Sequence, residues 1–457
     1  MIERDEPHKG QAQGEPSEAS DFAALETKFI DEARSCPLNS TIKPSLPSLC
    51  TSAKELADRI RERSFVESAY SLRRANEYLL ECRTEPCVDS KATQVGDLAL
   101  LPTKGRVFMF SDLEGNIDDL VSALDEHRIL ARLRANDPDD QVFLCILGDS
   151  IDRSRTSSVL MEFLFELKCA PEFSRNIVIL SGNHELSMDV QSCSDKVGDP
   201  RNRLGLRDEV LLGRESYQKI DLNHEETKAL ASLRQQPRWK SYRALQETPN
   251  TETKRAHEAR VGMWLRFNDI FQLLPKMIIS GNGLCAAHAG FPARRPFSYP
   301  LEAATSLSNE EKREVLLAIT DLTDTRPKRP ECHPFNRALD DILWSDIDPT
   351  LDDKHDAPLL GNNKRGPGGT PGPGVAWGHR ALERFSEISG TTLFIRGHQA
   401  EPPSHPDVIL IANGAWRYKA CVTINSSATH PRFVSLDLSI EAPSPEHLNF
   451  HAPLIDV

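Results

Sequence analysis

The sequence predicts an α/β fold, with strands at the centre and helices outside. Two observations carry this reading. From Arg106 onward, short apolar runs alternate with segments of helical periodicity, which is the pattern of βαβ units. Five of these runs also end alike, in a carboxylate, amide or imidazole close to glycine. Ligands of such sheets gather outside the carboxyl ends of the strands.

The 457 residues suit one large domain with extensions, or two domains. A hydrophobic content of 39% with 27% charged residues describes a globular chain. The formal charge of −13, without any Lys/Arg block, argues against nucleic acid as a partner. No apolar run approaches the roughly 18 residues that cross a bilayer, so no membrane partner is expected. The first twenty residues lack the apolar core of a signal peptide. The ten cysteines are scattered, and Cys82 and Cys87 have no second pair to complete a zinc spacing. Reduced thiols and a cytoplasmic location are the expectation.

Taken in order, residues 1–50 form a polar, Pro-interrupted segment with one short helix over 21–35. Thr51 or Ser52 caps a helix through AKELADRIRER that extends toward ANEYLLECR. This makes 51–100 a helical extension, suited to packing or to binding a protein partner. The α/β domain then spans 101–445, and 446–457 is a tail. Within that domain RVFMF is a strand, followed by a helix from about Ile117 to Leu133. QVFLCIL is the next strand, with a helix from about Thr156 to Cys169, and NIVIL is the third. GLCAA and TLFIR follow much later.

The residues after these strands carry the chemistry. RVFMF leads to Asp112, Glu114 and Gly115; QVFLCIL leads to Gly148, Asp149, Asp152 and Arg153. NIVIL leads to Gly182, Asn183, His184 and Glu185; GLCAA leads to His288 and Gly290; TLFIR leads to Gly397, His398 and Gln399. Glycine allows the sharp turn and close backbone approach that such loops need. Carboxylate, amide and imidazole together suit a pair of divalent ions such as Mn, Fe or Zn. Taken singly, an Asp after a strand is as well explained as a helix N-cap, and a strand-end His as a satisfied core residue. Five in succession favour metal.

In their order these motifs resemble the calcineurin-like metallophosphoesterases, and within them the phosphoprotein phosphatases that act on serine and threonine. SDLEGN, GDSIDR, GNHE, HAG and GHQ stand where that family shows GDxHG, GDxVDRG, GNHE, HGG and a late H-Q pair. Trp264–Pro292, DILWSDIDP at Asp341–Pro349, GVAWG at Gly374–Gly378 and the segment Cys421–Leu438 extend the likeness over about 106–438. The resemblance implies a β-sandwich core flanked by helices, and two divalent metals bridged by a hydroxide. It implies that Asp112 binds the first metal, that Asp149 bridges both, and that Asn183, His288 and His398 complete the second. His184 becomes the general acid, oriented by Asp152, with Arg153 and Asn183 on the phosphate. The hydroxide attacks phosphorus in line without a phosphoenzyme. Manganese is the expected metal, with Fe, Zn or Mg as alternatives.

The chain departs from that pattern in three places. Glu114 stands where the family has histidine. As a metal ligand it adds a third carboxylate, makes the site less electropositive and favours hard ions such as Mn or Mg. Otherwise it is a solvated turn residue. The place of the family's second phosphate arginine holds Pro373, with Arg365 nearby, and Arg396 reads as structural support. Finally, about 187–262 is a charged, helix-like insertion, read either as a cap at the site rim that selects substrates or binds a partner, or as plain surface. The Pro/Gly-rich stretch 361–374 reads as a loop suited to a lid.

The functional expectation is a metal-dependent phosphoprotein phosphatase acting on phosphomonoesters, Ser/Thr first and Tyr also open. The alternatives are a small-molecule metallophosphoesterase, such as a dinucleoside polyphosphate hydrolase, and a catalytically inactive scaffold.

Overall fold

The strand RVFMF is apolar at every central position because both its faces are buried. Val107 and Met109 face one core, while Phe108 and Phe110 face another. The same alternation recurs along the next strand, where Phe143 and Cys145 join the first core and Val142, Leu144 and Ile146 the second. On the opposite side, Leu284 and Ala286 meet that first core, and Cys285 and Ala287 turn to a third. Two sheets therefore pack face to face over the shared core, with helices on both outer faces. A computed structural model shows this arrangement for residues 50–82, 91–172, 174–186, 205–206, 209–210, 251–293, 308, 334–353, 358–364, 372–411, 415–426 and 433–451, which are the ones described below.

In chain order the strands of the two large sheets begin with β1 (Thr93–Val95), β2 (Leu98–Leu101), β3 (Arg106–Phe110), β4 (Val142–Ile146) and β5 (Ile177–Ile179). Then come β6 (Met277–Ser280) and β7 (Leu284–Ala287). A small sheet is built from β8 (Asp346–Ile347), β9 (Leu360–Asn362) and β10 (Val375–Trp377). The closing strands are β11 (Leu393–Arg396), β12 (Val408–Leu410), β13 (Trp416–Tyr418), β14 (Cys421–Thr423), β15 (Phe433–Asp437) and β16 (Asn449–His451). One sheet runs β16-β15-β3-β4-β5, with β3, β4 and β5 mutually parallel. The other runs β1-β2-β6-β7-β11-β14-β13-β12, with β7, β11 and β14 parallel. Parallel pairing puts the ends of β3, β4 and β5 side by side, and likewise those of β7 and β11. That is the arrangement that assembles a site.

Helices α1 (Ala53–Arg61), α2 (Phe65–Cys82), α3 (Ile117–Glu126), α4 (Ile129–Ala135), α5 (Ser157–Lys168) and α6 (Thr251–Leu273) lie on the outer face of the five-stranded sheet. Helices α7 (Pro334–Trp344) and α8 (His379–Ser389) cover the eight-stranded sheet. None of the described helices is long and apolar enough to cross a membrane. The described cysteines are free thiols in the core, as expected of a reduced chain.

The structure corrects three readings. The helix that begins after the Ser52 cap ends at Arg61. Ser64 and Glu67 then exchange hydrogen bonds as a capping box that starts α2. The helix expected over 117–133 is likewise two, separated by Arg128 in a left-handed conformation (φ 52°). Part of the expected helical extension, residues 93–101, instead forms β1 and β2 at the edge of the larger sheet. The helices over 21–35 and over most of the insertion lie outside the described residues, as do Arg365 and the central part of the Pro/Gly-rich loop.

The N-terminal helices are fastened by charge as well as by apolar packing. Asp125 of α3 accepts the backbone N–H groups of Ala53 and Lys54, at the first turn of α1. Beneath α2, the fully buried Glu166 of α5 pairs with Arg63 and Arg74 and accepts the Ser71 hydroxyl. A buried carboxylate with three such partners fixes where α2 can sit, because removing any partner leaves charge in the core.

Candidate active site

Each strand end narrows to a turn whose backbone bonds to the neighbouring turn. The N–H of Asp112 donates to Gly148 O at 3.0 Å, and that of Glu114 to Asp149 O at 2.9 Å. Glu185 joins two loops at once: its carboxylate accepts the N–H groups of Asp149, Ser150 and Gly182 at 2.7–3.0 Å. Gly397 N–H donates to His288 O within the eight-stranded sheet, and His398 N–H ties that sheet to the other by donating to Asp112 Oδ2, both at 2.9 Å. At Gly397 a side chain is excluded, since a Cβ there would overlap Ser111 Oγ and Asp112 Oδ2.

The backbone at these turns is strained. Asp112, Glu114, Asp149, Asp152, Arg153 and His398 all have φ between 48° and 70°, a left-handed region that residues with a Cβ seldom occupy. Each such residue costs on the order of 1 kcal/mol or more. Among the described residues only four other non-glycine positions share this feature, namely Arg128, Asn136, Lys419 and Ala442. The strain is concentrated where side chains are aimed inward.

Asp149, His288 and His398 each place a ligand atom within 4.8 Å of the others. The ring of His288 is oriented by its Nδ1–H, which donates to Leu147 O at 3.2 Å. Its Nε2 then faces Asn183 Oδ1 at 2.8 Å, His398 Nδ1 at 3.1 Å and Asp149 Oδ2 at 3.3 Å. A proton on this nitrogen can serve only one of those lone pairs, whereas a divalent cation serves all of them. The donor set of one carboxylate, one amide oxygen and two imidazoles fits a divalent transition metal. A backbone carbonyl holding the far nitrogen is the usual way a ligating histidine is oriented.

The electrostatics agree with a pocket made for positive charge. Burial opposes charge on His288, yet Asp149 and Asp112 raise its pKa above the ordinary value. Burial also opposes charge on His184, but Asp149 and the hydrogen bond to Asp152 outweigh it and push the pKa up to about 9. Burial raises Asp112. Asp149 is also desolvated, but the two histidines hold it below the usual carboxylate range. Glu185 is pushed up to about 7 by burial and by Asp149.

The structure thus brings together Asp112, Asp149, Asn183, His288 and His398 at the strand ends, with His184 Nδ1 2.9 Å from Asp152 Oδ2 beside them. Arg153 and Glu114 stand at the rim, and their side chains are paired with one another. The Glu114 carboxylate is turned to the guanidinium; burial raises its pKa above the ordinary value, and Arg153 on one side and Asp112 and Asp149 on the other act on it in opposite directions. Arg396 is fully buried and donates to Gly397 O and Ser345 O, in keeping with a supporting role. Sequence reasoning left Glu185 without a task, although its place two residues after Asn183 was a signal. It also missed Ser111, whose hydroxyl donates to Asp112 Oδ2 at 2.6 Å.

A family model described as calcineurin-like phosphoesterase matches residues 105–402. Among solved structures, the chain is similar to a protein serine/threonine phosphatase from Saccharomyces cerevisiae, with 14% identity, coverage of 85% of this chain and 90% of that one, and a TM-score of 0.46. It is also similar to a cold-active protein-tyrosine phosphatase from a psychrophilic Shewanella, with 13% identity, coverage of 79% and 83%, and a TM-score of 0.31.

Proposed function

Because the chain belongs to the calcineurin-like phosphoesterase family, a family of metal-dependent hydrolases, we propose that it is a divergent phosphoprotein phosphatase. Its substrates in this reading are phosphomonoesters on protein, phosphoserine and phosphothreonine first, with phosphotyrosine also open. The observation that carries the reading is the convergence of Asp149, His288 and His398 directly beside the His184–Asp152 pair. A group of metal-ligand side chains next to a carboxylate-oriented imidazole suits metal-assisted phosphoester hydrolysis.

Asp112, Asp149, Asn183, His288 and His398 are the residues that would hold two divalent ions, manganese first among them. When bound, such ions acidify a water and neutralise charge developing on the phosphoryl oxygens. His184 holds a proton on Nε2 for the leaving oxygen, while Asp152 fixes the ring through Nδ1. Arg153 binds a phosphoryl oxygen as a planar, permanently charged donor. Glu185 keeps the Asp149 and Asn183 loops in register and touches no substrate.

The test is hydrolysis of p-nitrophenyl phosphate with and without added Mn, beside an Asp149→Asn variant. Turnover that needs the metal and disappears in the variant supports the reading. No turnover with any divalent ion, together with no bound metal by elemental analysis, would replace it with a binding scaffold. Panels of phosphoserine, phosphothreonine and phosphotyrosine peptides then rank the substrates.

A further inference from the structure

The two oxygens of Asp152 have different partners. Oδ2 holds His184 Nδ1 at 2.9 Å, and Oδ1 accepts the backbone N–H of Leu206, also at 2.9 Å. Leu206 belongs to the interval between the His184 loop and the His288 loop, and its side chain is fully buried in the helical core above the five-stranded sheet. Glu209, three residues on, is 1% exposed. It accepts both the backbone N–H and the hydroxyl of Ser158, in the first turn of α5, where a carboxylate is favoured by the helix dipole. Asp152 is itself linked to that turn, because its N–H donates to Ser157 Oγ at 3.0 Å.

We propose that Glu209 is a positioning residue for the general acid. Docked on α5, it holds the Leu206 N–H against Asp152 Oδ1, and so sets the angle at which Oδ2 presents His184. Asp152 needs this support. Its φ of 70° is not one its own backbone prefers, and a carboxylate bonded through one oxygen alone can rotate. Leu206 and Glu209 are then part of the acid's mounting. The proposal rests on the reading of His184 as the proton donor.

The dependence of rate on leaving group separates positioning from general structural damage. 2,4-Dinitrophenolate leaves its phosphate ester without a proton, whereas the alkoxide of an alkyl phosphate requires one, and a placed general acid contributes roughly 100-fold or more. In Glu209→Gln, kcat for the alkyl phosphate should fall by about tenfold, while that for the dinitrophenyl ester stays within about twofold and bound metal is unchanged. Equal loss on both substrates, or no loss on either, would overturn the proposal. If Glu209→Gln does not fold, Ser158→Ala removes one of the two donors and carries the same comparison. If the unaltered protein turns over neither ester, the phosphatase reading fails by itself. The far-downfield Nδ1 proton of His184 then decides: a resonance lost or moved in Glu209→Gln supports positioning, and an unmoved one overturns it.

Discussion

The carboxylate of Glu114 is paired with the guanidinium of Arg153 and not with the Asp149–His288–His398 cluster. Both residues have left-handed backbones, with φ of 48° and 54°, so the loops are bent to bring the two side chains together. Arg153 is 44% exposed and Glu114 15%, which makes the arginine the mobile partner. A phosphate that recruits Arg153 must draw it from Glu114. Removing the carboxylate charge should therefore tighten phosphate binding. In Glu114→Gln the inhibition constant of inorganic phosphate should fall by roughly three- to fivefold, the scale of a partly exposed ion pair, with bound metal unchanged. An unchanged constant with less metal by elemental analysis would make Glu114 a ligand instead.

Gly397 is where the two sheets meet over the site. A methyl group there would overlap Ser111 Oγ and Asp112 Oδ2 and push the His398 loop off Asp112. Gly397→Ala should lower kcat by roughly 100-fold, since displacements of about 1 Å at a reacting centre cost that much. Kinetics beside a thermal melt check this, and a variant with normal kcat would show that the loop relaxes.

Glu166 holds Arg63 and Arg74 beneath α2. Glu166→Ala removes the buried partner of Arg74 and Ser71 and leaves Arg63 with Glu162 alone, 3.7 Å away, and should lower stability by about 3 kcal/mol. Urea unfolding measures it. A loss under about 1 kcal/mol would mean that α2 is held by its apolar face alone.

His451 of β16 stacks on Phe433 and lies 4.8 Å from His127. Burial, then repulsion from His127 and Arg106, lower its pKa from 6.5 to about 4. As the pH falls below 6.5 the unfolded chain takes up this proton first. Stability should therefore decline between about pH 6.5 and 4 and level off below. His451→Phe, which keeps the stacking, should flatten that part of the stability–pH profile. An equally steep profile in the variant would assign the acid sensitivity to other groups.

How much could be read beforehand differs from element to element. RVFMF, QVFLCIL and TLFIR are short apolar runs with β-branched or aromatic residues, and GLCAA is a short apolar run without them. Their positions in the structure agree to within two residues at either end. The two helix breaks were harder to see, since neither holds Pro or Gly. One was still signalled by Ser64-x-x-Glu67, whereas Arg128 gives no warning. Glu209 carried no signal at all, because its partner Ser158 is 51 residues away.

The sequence by itself determined the alternating fold and the residues at each strand end, because periodicity and the spacing of polar groups after an apolar run are local properties. Only the tertiary structure decided how those residues are used. Packing of the two sheets set Asp149, His288 and His398 around one point, and contacts between loops gave Glu114 to Arg153 and brought Leu206 to Asp152. Such partnerships depend on chain segments far apart in sequence meeting in a close-packed interior, and no local pattern records which distant group arrives.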